Sequence, residues 1–156
     1  MSKSLARVTT ALADAGLAVE VLEMSGETRT AQQAADQAGC ALDQIAKSIL
    51  FEGTTSGALY LFVTAGGRQV DPDKAARLAG EPLGRADGKK VRAVTGFAIG
   101  GVAPLGHLTP PRAYFDPRLL DFEVVWAAAG TPRHVFSTHP TALLAATGAH
   151  PGDFTA

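Results

Sequence analysis

The chain has a single cysteine, Cys40, among 156 residues. That excludes an internal disulfide framework and fits a reducing compartment. A lone thiol is ordinarily a small buried hydrophobe, and no local signature marks Cys40 as a nucleophile. Long apolar runs are also missing. No segment approaches the roughly eighteen apolar residues of a membrane span, and Met1-Ser2-Lys3-Ser4-Leu5 has no apolar signal-peptide core. A cytoplasmic protein without a membrane partner is the expectation. Surplus positive charge is absent too. A net charge of −1 argues against a strong, sequence-blind grip on nucleic acid, DNA included. His107, His134, His139 and His150 are scattered, with no pair on one helix face beside a carboxylate, so neither metal nor other cofactor is expected. There is no Gly-x-Ser-x-Gly elbow and no Cys–His signature, which leaves covalent catalysis without support.

What is present describes an ordinary globular protein, 46% hydrophobic and 19% charged, expected to form one domain over 1–156. Leu5, Val8, Leu12 and Ala15 give residues 4–15 one apolar helical face, stopped by Gly16. Residues 19–22 alternate as a short strand. Thr30-Ala31-Gln32-Gln33 reads as a capping box opening a helix that ends near Gly39. Segments 47–52 and 58–64 read as a hairpin across residues 53–57. Asp71-Pro72 should start a helix to about Ala79, and Asp87 another from Gly88 to Thr95. Further strands are expected at 113–115, 122–128 and 133–137, then a last helix over 141–147. Hairpins outnumber clean βαβ units. The expected class is α/β of the α+β type, a mixed and mostly antiparallel sheet covered by helices.

Two features carry chemistry. Four glycines and a proline lie between Gly96 and His107, too many for a helix or a plain strand. The stretch is no P-loop, because no Gly-Lys-Ser/Thr follows, and it lacks the Gly-x-Gly-x-x-Gly spacing of a dinucleotide site. Gly100-Gly101 instead offers backbone N–H groups free of side-chain bulk, able to hold a carbonyl oxygen or the oxyanion formed from it. Pro104 would stiffen the far side. Lys47, inside the apolar run around Ile45 to Phe51, either snorkels to water or is a cation positioned for a phosphate, a carboxylate or a carbonyl. Residues 68–92 carry seven basic and four acidic groups. Arg85, Lys89, Lys90 and Arg92 then form either a solvated helix face or a phosphate-facing rim. His134 is either a general base or a partly exposed structural histidine.

Three segments occur together in the order and spacing of one family: Ala46 to Phe51, Thr95 to Gly106, and Val125 to Gly130. The chain resembles the YbaK/prolyl-tRNA synthetase-associated editing domains, the trans-editing aminoacyl-tRNA deacylases, from the Thr30 helix to the terminal helix. That resemblance implies a barrel-like mixed sheet surrounded by helices, with a pocket for an aminoacyl group on the 3′-terminal adenosine of tRNA. The implied reaction is hydrolysis of a wrongly formed aminoacyl ester, without metal, on the acceptor end of aminoacyl-tRNA, with a synthetase as a further partner. Lys47, Gly100 and Gly101 are the catalytic positions it implies, with Thr30, Phe51, Val102, Pro104, Ala129, Gly130 and His134 around the substrate. Two departures bear on selectivity. Ala129 stands where many relatives carry serine, and Thr131-Pro132-Arg133-His134 replaces a basic residue and glycine. One methyl or hydroxyl in such a pocket shifts preference by about 1–3 kcal/mol. The same residues also suit a binding module without turnover, or a hydrolase of small acyl esters.

Overall fold

A computed structural model describes residues 2–28 and 30–156; Met1 and Arg29 lie outside the described residues. Helix α1 (Lys3–Asp14) starts where the Ser2 hydroxyl accepts the Leu5 N–H at 3.1 Å, and it buries Leu5, Val8 and Leu12. Ala15, expected on that face, is exposed because the helix ends at Asp14 and leaves Ala15 as its C-cap. Strand β1 (Val21–Glu23) begins two residues later than its alternation suggests, where pairing with a distant strand fixes it. Helix α2 (Ala31–Ala38) opens with the expected capping box at Thr30 and ends at Gly39, whose φ of 71° is left-handed.

A 3₁₀ turn (Leu42–Gln44) leads into β2 (Ile45–Gly53), which forms a hairpin with β3 (Leu59–Ala65). Every residue of β3 is buried, as expected of a strand covered on both faces. Asp71 and Asp87 cap α3 (Pro72–Ala79) and α4 (Gly88–Thr95) through their side chains. Between these helices lies β4 (Leu83–Arg85), too short for its sequence to announce. Strand β5 (Arg112–Phe115) is followed by a second 3₁₀ turn (Pro117–Asp121). That turn delays β6 (Val125–Thr131), expected from 122, and Gly130-Thr131 belongs to the strand, not to the connection. Strand β7 (His134–Thr138), helix α5 (Pro140–Thr147) and β8 (His150–Pro151) complete the chain.

The strands form one eight-stranded mixed sheet in the order β1-β7-β6-β2-β3-β5-β8, with β4 on β2. Four pairings are antiparallel (β1–β7, β2–β3, β2–β4, β6–β7) and three parallel (β2–β6, β3–β5, β5–β8). The sheet is therefore mixed and mostly antiparallel, as expected. One core cluster packs Leu5, Val8 and Leu12 of α1 with Phe97, Phe115 and Phe136; another packs Phe62, Tyr114 and Phe154 with α3. Each fully buried phenylalanine contributes roughly 1.5–3 kcal/mol. Gly130 is where α1 meets β6. Its φ is +97°, and a Cβ there would lie 2.8 Å from the Ser4 carbonyl oxygen.

Candidate active site

Strand β2 positions the site through incomplete pairing. One edge pairs with β3 from Ala46 to Glu52. The other meets β6 only at Ile45 and Ala46, and β4 only from Phe51 to Gly53. Lys47 to Leu50 thus lack a strand neighbour on that side, and the sheet is open there. A cavity of about 630 Å³ fills the opening, within the range of small-ligand pockets.

Its walls come from distant parts of the chain. Helix α2 supplies Ala34 and Ala38, β6 supplies Trp126 and Ala128, α4 supplies Val91, and the glycine stretch supplies Ile99, Gly100 and Val102. The lining is largely apolar. Its charged side chains are Lys47 and Arg85, and no carboxylate, histidine or cysteine joins them among the described residues. The cavity is therefore cationic at two points, with Thr28, Thr30, Gln32 and Ser48 as its other polar residues and the rest apolar. Such surroundings strengthen any contact between a fixed donor and an electron-rich oxygen.

Lys47 is half-buried, and its Nζ donates to the Gly66 carbonyl at 3.2 Å. Burial pushes the ammonium below its ordinary pKa, while the carboxylates of Asp43 and Asp116 oppose that shift. Asp43 feels burial in the opposite sense. The hydrogen bonds it accepts from Arg118 and the Gly67 N–H outweigh it and hold the carboxyl below its usual range. Next to Lys47, Ser48 belongs to the cavity lining, but its hydroxyl is shut off from solvent and has no hydrogen-bond partner. Gly100 has a φ of +96°, and nothing lies within 4 Å of where its Cβ would be. Only glycine adopts that backbone without strain, and the peptide there is bare towards the cavity.

The aminoacyl-tRNA editing domain family model matches residues 25–146. This chain belongs to that family. A crystal structure described as a proposed trans-editing enzyme for prolyl-tRNA synthetase shares 46% identity with this editing domain at a TM-score of 0.92, covering 100% of this chain and 99% of that one. A hypothetical protein, APE2540, shares 27% identity at a TM-score of 0.88, over 96% and 99% of the two chains. The uncharacterized protein YwhH of Bacillus subtilis (strain 168) is 32% identical over 124 residues, 80% of this chain and 78% of its own.

Of the positions expected from the sequence, Thr30, Lys47, Gly100 and Val102 line the cavity of this editing domain. Thr30 does so as the exposed N-cap of α2, its hydroxyl accepting the Gln33 N–H at 3.1 Å. The rest stand outside the lining. The Gly101 N–H already donates to the Ala98 carbonyl at 3.0 Å, and a Cβ on Gly101 would meet the Thr131 backbone at 2.9 Å. Gly101 is thus a close-packing glycine, and the free donor of the pair is Gly100. Pro104 and Ala129 are buried behind the wall. Phe51 packs edge-on to Phe62 in the second core cluster. Gly130 seats α1, and His134 shares a 2.7 Å hydrogen bond with the Thr131 hydroxyl at the β6–β7 turn. Cys40 also lies outside the cavity, and burial pushes its thiol up, away from nucleophilic use.

The basic rim divides as well. Arg85 reaches the lining, and Lys89 and Arg92 are exposed. Lys90 instead pairs with Glu52 at 3.3 Å and bonds the Gly57 carbonyl, tying α4 to the hairpin. Ser48, Trp126 and Gly66 are site residues that sequence reasoning missed. A polar residue directly after Lys47 in an apolar strand was the available signal for Ser48; the other two carry none.

Proposed function

We propose that this editing domain is a freestanding deacylase that hydrolyses the ester of a small, wrongly attached amino acid on tRNA. The observation that carries this reading is the cavity at the open edge of β2, lined by Lys47, Arg85 and the bare peptide of Gly100 in a chain of the editing family. An aminoacyl ester on a terminal nucleotide has an electron-rich carbonyl beside phosphates, and a cationic, mostly apolar pocket suits both. In the reaction a water oxygen attacks the ester carbonyl carbon, and the bond from that carbon to the ribose oxygen breaks. The proton lost by water ends on the ribose oxygen, giving a free amino acid and an intact tRNA 3′ end. Lys47 and the Gly100 N–H are the donors proposed for the substrate's carbonyl or terminal nucleotide. With no carboxylate, histidine or cysteine in the lining among the described residues, water does the attack, and positioning supplies the rate.

The relative described as a proposed trans-editing enzyme for prolyl-tRNA synthetase makes tRNA(Pro) carrying a small wrong amino acid the first substrate to test. Purified protein should deacylate at least one member of a panel of mischarged tRNAs. Lys47→Ala should lose about 10²–10³-fold in rate, as removal of one preorganised donor does elsewhere. A panel left wholly intact by the wild-type protein would sink the reading. Saturable, salt-sensitive tRNA binding without cleavage would instead assign a binding module.

A further inference from the structure

The turn on which Lys47 rests is braced by charged residues outside the cavity. Gly66 and Gly67 follow β3 and press against the 3₁₀ turn Leu42–Gln44. A Cβ on Gly66 would sit 2.3 Å from the Leu42 carbonyl oxygen, and one on Gly67 2.6 Å from Asp43 Oδ1. Two carboxylates hold this turn from either end. Asp43 accepts the Gly67 N–H at 2.8 Å, and the fully buried Asp116 accepts the Ala65 N–H at 3.1 Å. Arg118 joins the two, since its Nε donates to Asp43 at 3.1 Å and its backbone N–H to Asp116 at 3.0 Å. Arg68 adds a 3.3 Å contact to Asp116.

We propose that Asp43, clamped by Arg118, is a positioning residue for Lys47: it fixes the Gly66 carbonyl that receives the ammonium and supplies the facing negative charge for an otherwise cationic cavity. The assignment rests on the reading that Lys47 meets the substrate, but the device can be tested without tRNA. Asp43 and Asp116 face Lys47 with negative charge; Arg68 and Arg118 stand behind those carboxylates, and Arg85 shares the cavity. The two members of the clamp therefore push Lys47 in opposite directions. Removing the Asp43 charge leaves the buried ammonium less supported. Removing Arg118 leaves Asp43 less neutralised.

The experiment follows the 13Cε resonances of labelled lysines through a pH titration, with Lys47 assigned by its loss in Lys47→Arg. Asp43→Asn keeps an acceptor for the Gly67 N–H and should move the Lys47 midpoint down. Arg118→Gln should move it up. A purely structural tie predicts no shift, or shifts of one sign, and either result in folded variants overturns the proposal. If Asp43→Asn loses its circular dichroism signature, the sign in Arg118→Gln decides. Loss of fold in both variants also overturns it, because the cluster is then only a structural brace. Deacylation by Asp43→Asn separates this inference from the functional one. A displaced Lys47 titration with unchanged deacylation across pH retains the positioning device and refutes a role for the Lys47 charge in the reaction.

Discussion

Acidification from about pH 7.5 to pH 5 should destabilise the protein by about 1–2 kcal/mol through one residue, His107. His107 ends the glycine stretch that carries Gly100. Its ring meets Phe97 edge-on at 5.4 Å, and the Arg7 guanidinium lies 4.9 Å from the centroid of the same phenylalanine. Nε2 is shut off from solvent and has no hydrogen-bond partner, although part of the residue is exposed. Burial, opposed by a backbone hydrogen bond at Ala103 and aided by the Arg7 charge, pushes the imidazole down to about 4. In the unfolded chain it takes a proton near 6.5. Between those values the unfolded state binds more protons, so stability rises with pH across the window and is lost as pH falls through it. At pH 5 the difference amounts to roughly 1.5 pK units, or about 2 kcal/mol, lowered somewhat because solvent reaches part of the residue. Glu81, held down to about 2 by hydrogen bonds from Ser56 and Tyr60, acts only below this window. Urea unfolding at both pH values measures the effect. His107→Phe keeps an aromatic ring against Phe97 but has nothing to titrate, so its stability should lose this part of the pH dependence. Equal pH slopes for wild type and variant would refute the argument.

Two further perturbations separate structural from functional roles. Gly130→Ala and Gly100→Ala meet the same left-handed backbone, worth about 1–2 kcal/mol of strain, but only Gly130 also faces the Ser4 carbonyl at 2.8 Å. Urea midpoints should therefore fall further for Gly130→Ala, while deacylation falls further for Gly100→Ala; the reverse order would place the functional glycine at Gly130. Ser48→Ala removes a buried hydroxyl without a partner, so the free protein should gain about 1 kcal/mol or more in stability. A lower melting temperature for the variant would show that the hydroxyl is satisfied in the folded protein.

Features set by neighbouring residues could be read from the chain directly. The capping box at Thr30, the aspartates opening α3 and α4, and the glycines closing four helices are local chemistry, and their positions hold within a residue or so. Lys47 and Gly100 were legible for the same reason: a charge in an apolar run and a cluster of glycines are unusual on their own. Gly101 and Gly130 look identical in sequence to ligand-facing glycines. What distinguishes them is the Thr131 backbone beside one and helix α1 against the other, contacts made across roughly 30 and 130 residues. Strands β4 and β8, three and two residues long, have too few residues for any periodicity.

By itself the sequence determined the helices, the main hairpin, the mixed sheet and the editing family, and it singled out the lysine that lines the cavity. Tertiary structure alone decided where the sheet opens, because that depends on β4 and β6 each pairing with only one end of β2. It also decided that Asp43 and the pair Asp116 and Arg118, more than seventy residues further along the chain, converge on the turn that receives Lys47. Propensity acts over a few neighbouring residues, whereas a cavity and its charge balance are made by elements that meet only when the core closes.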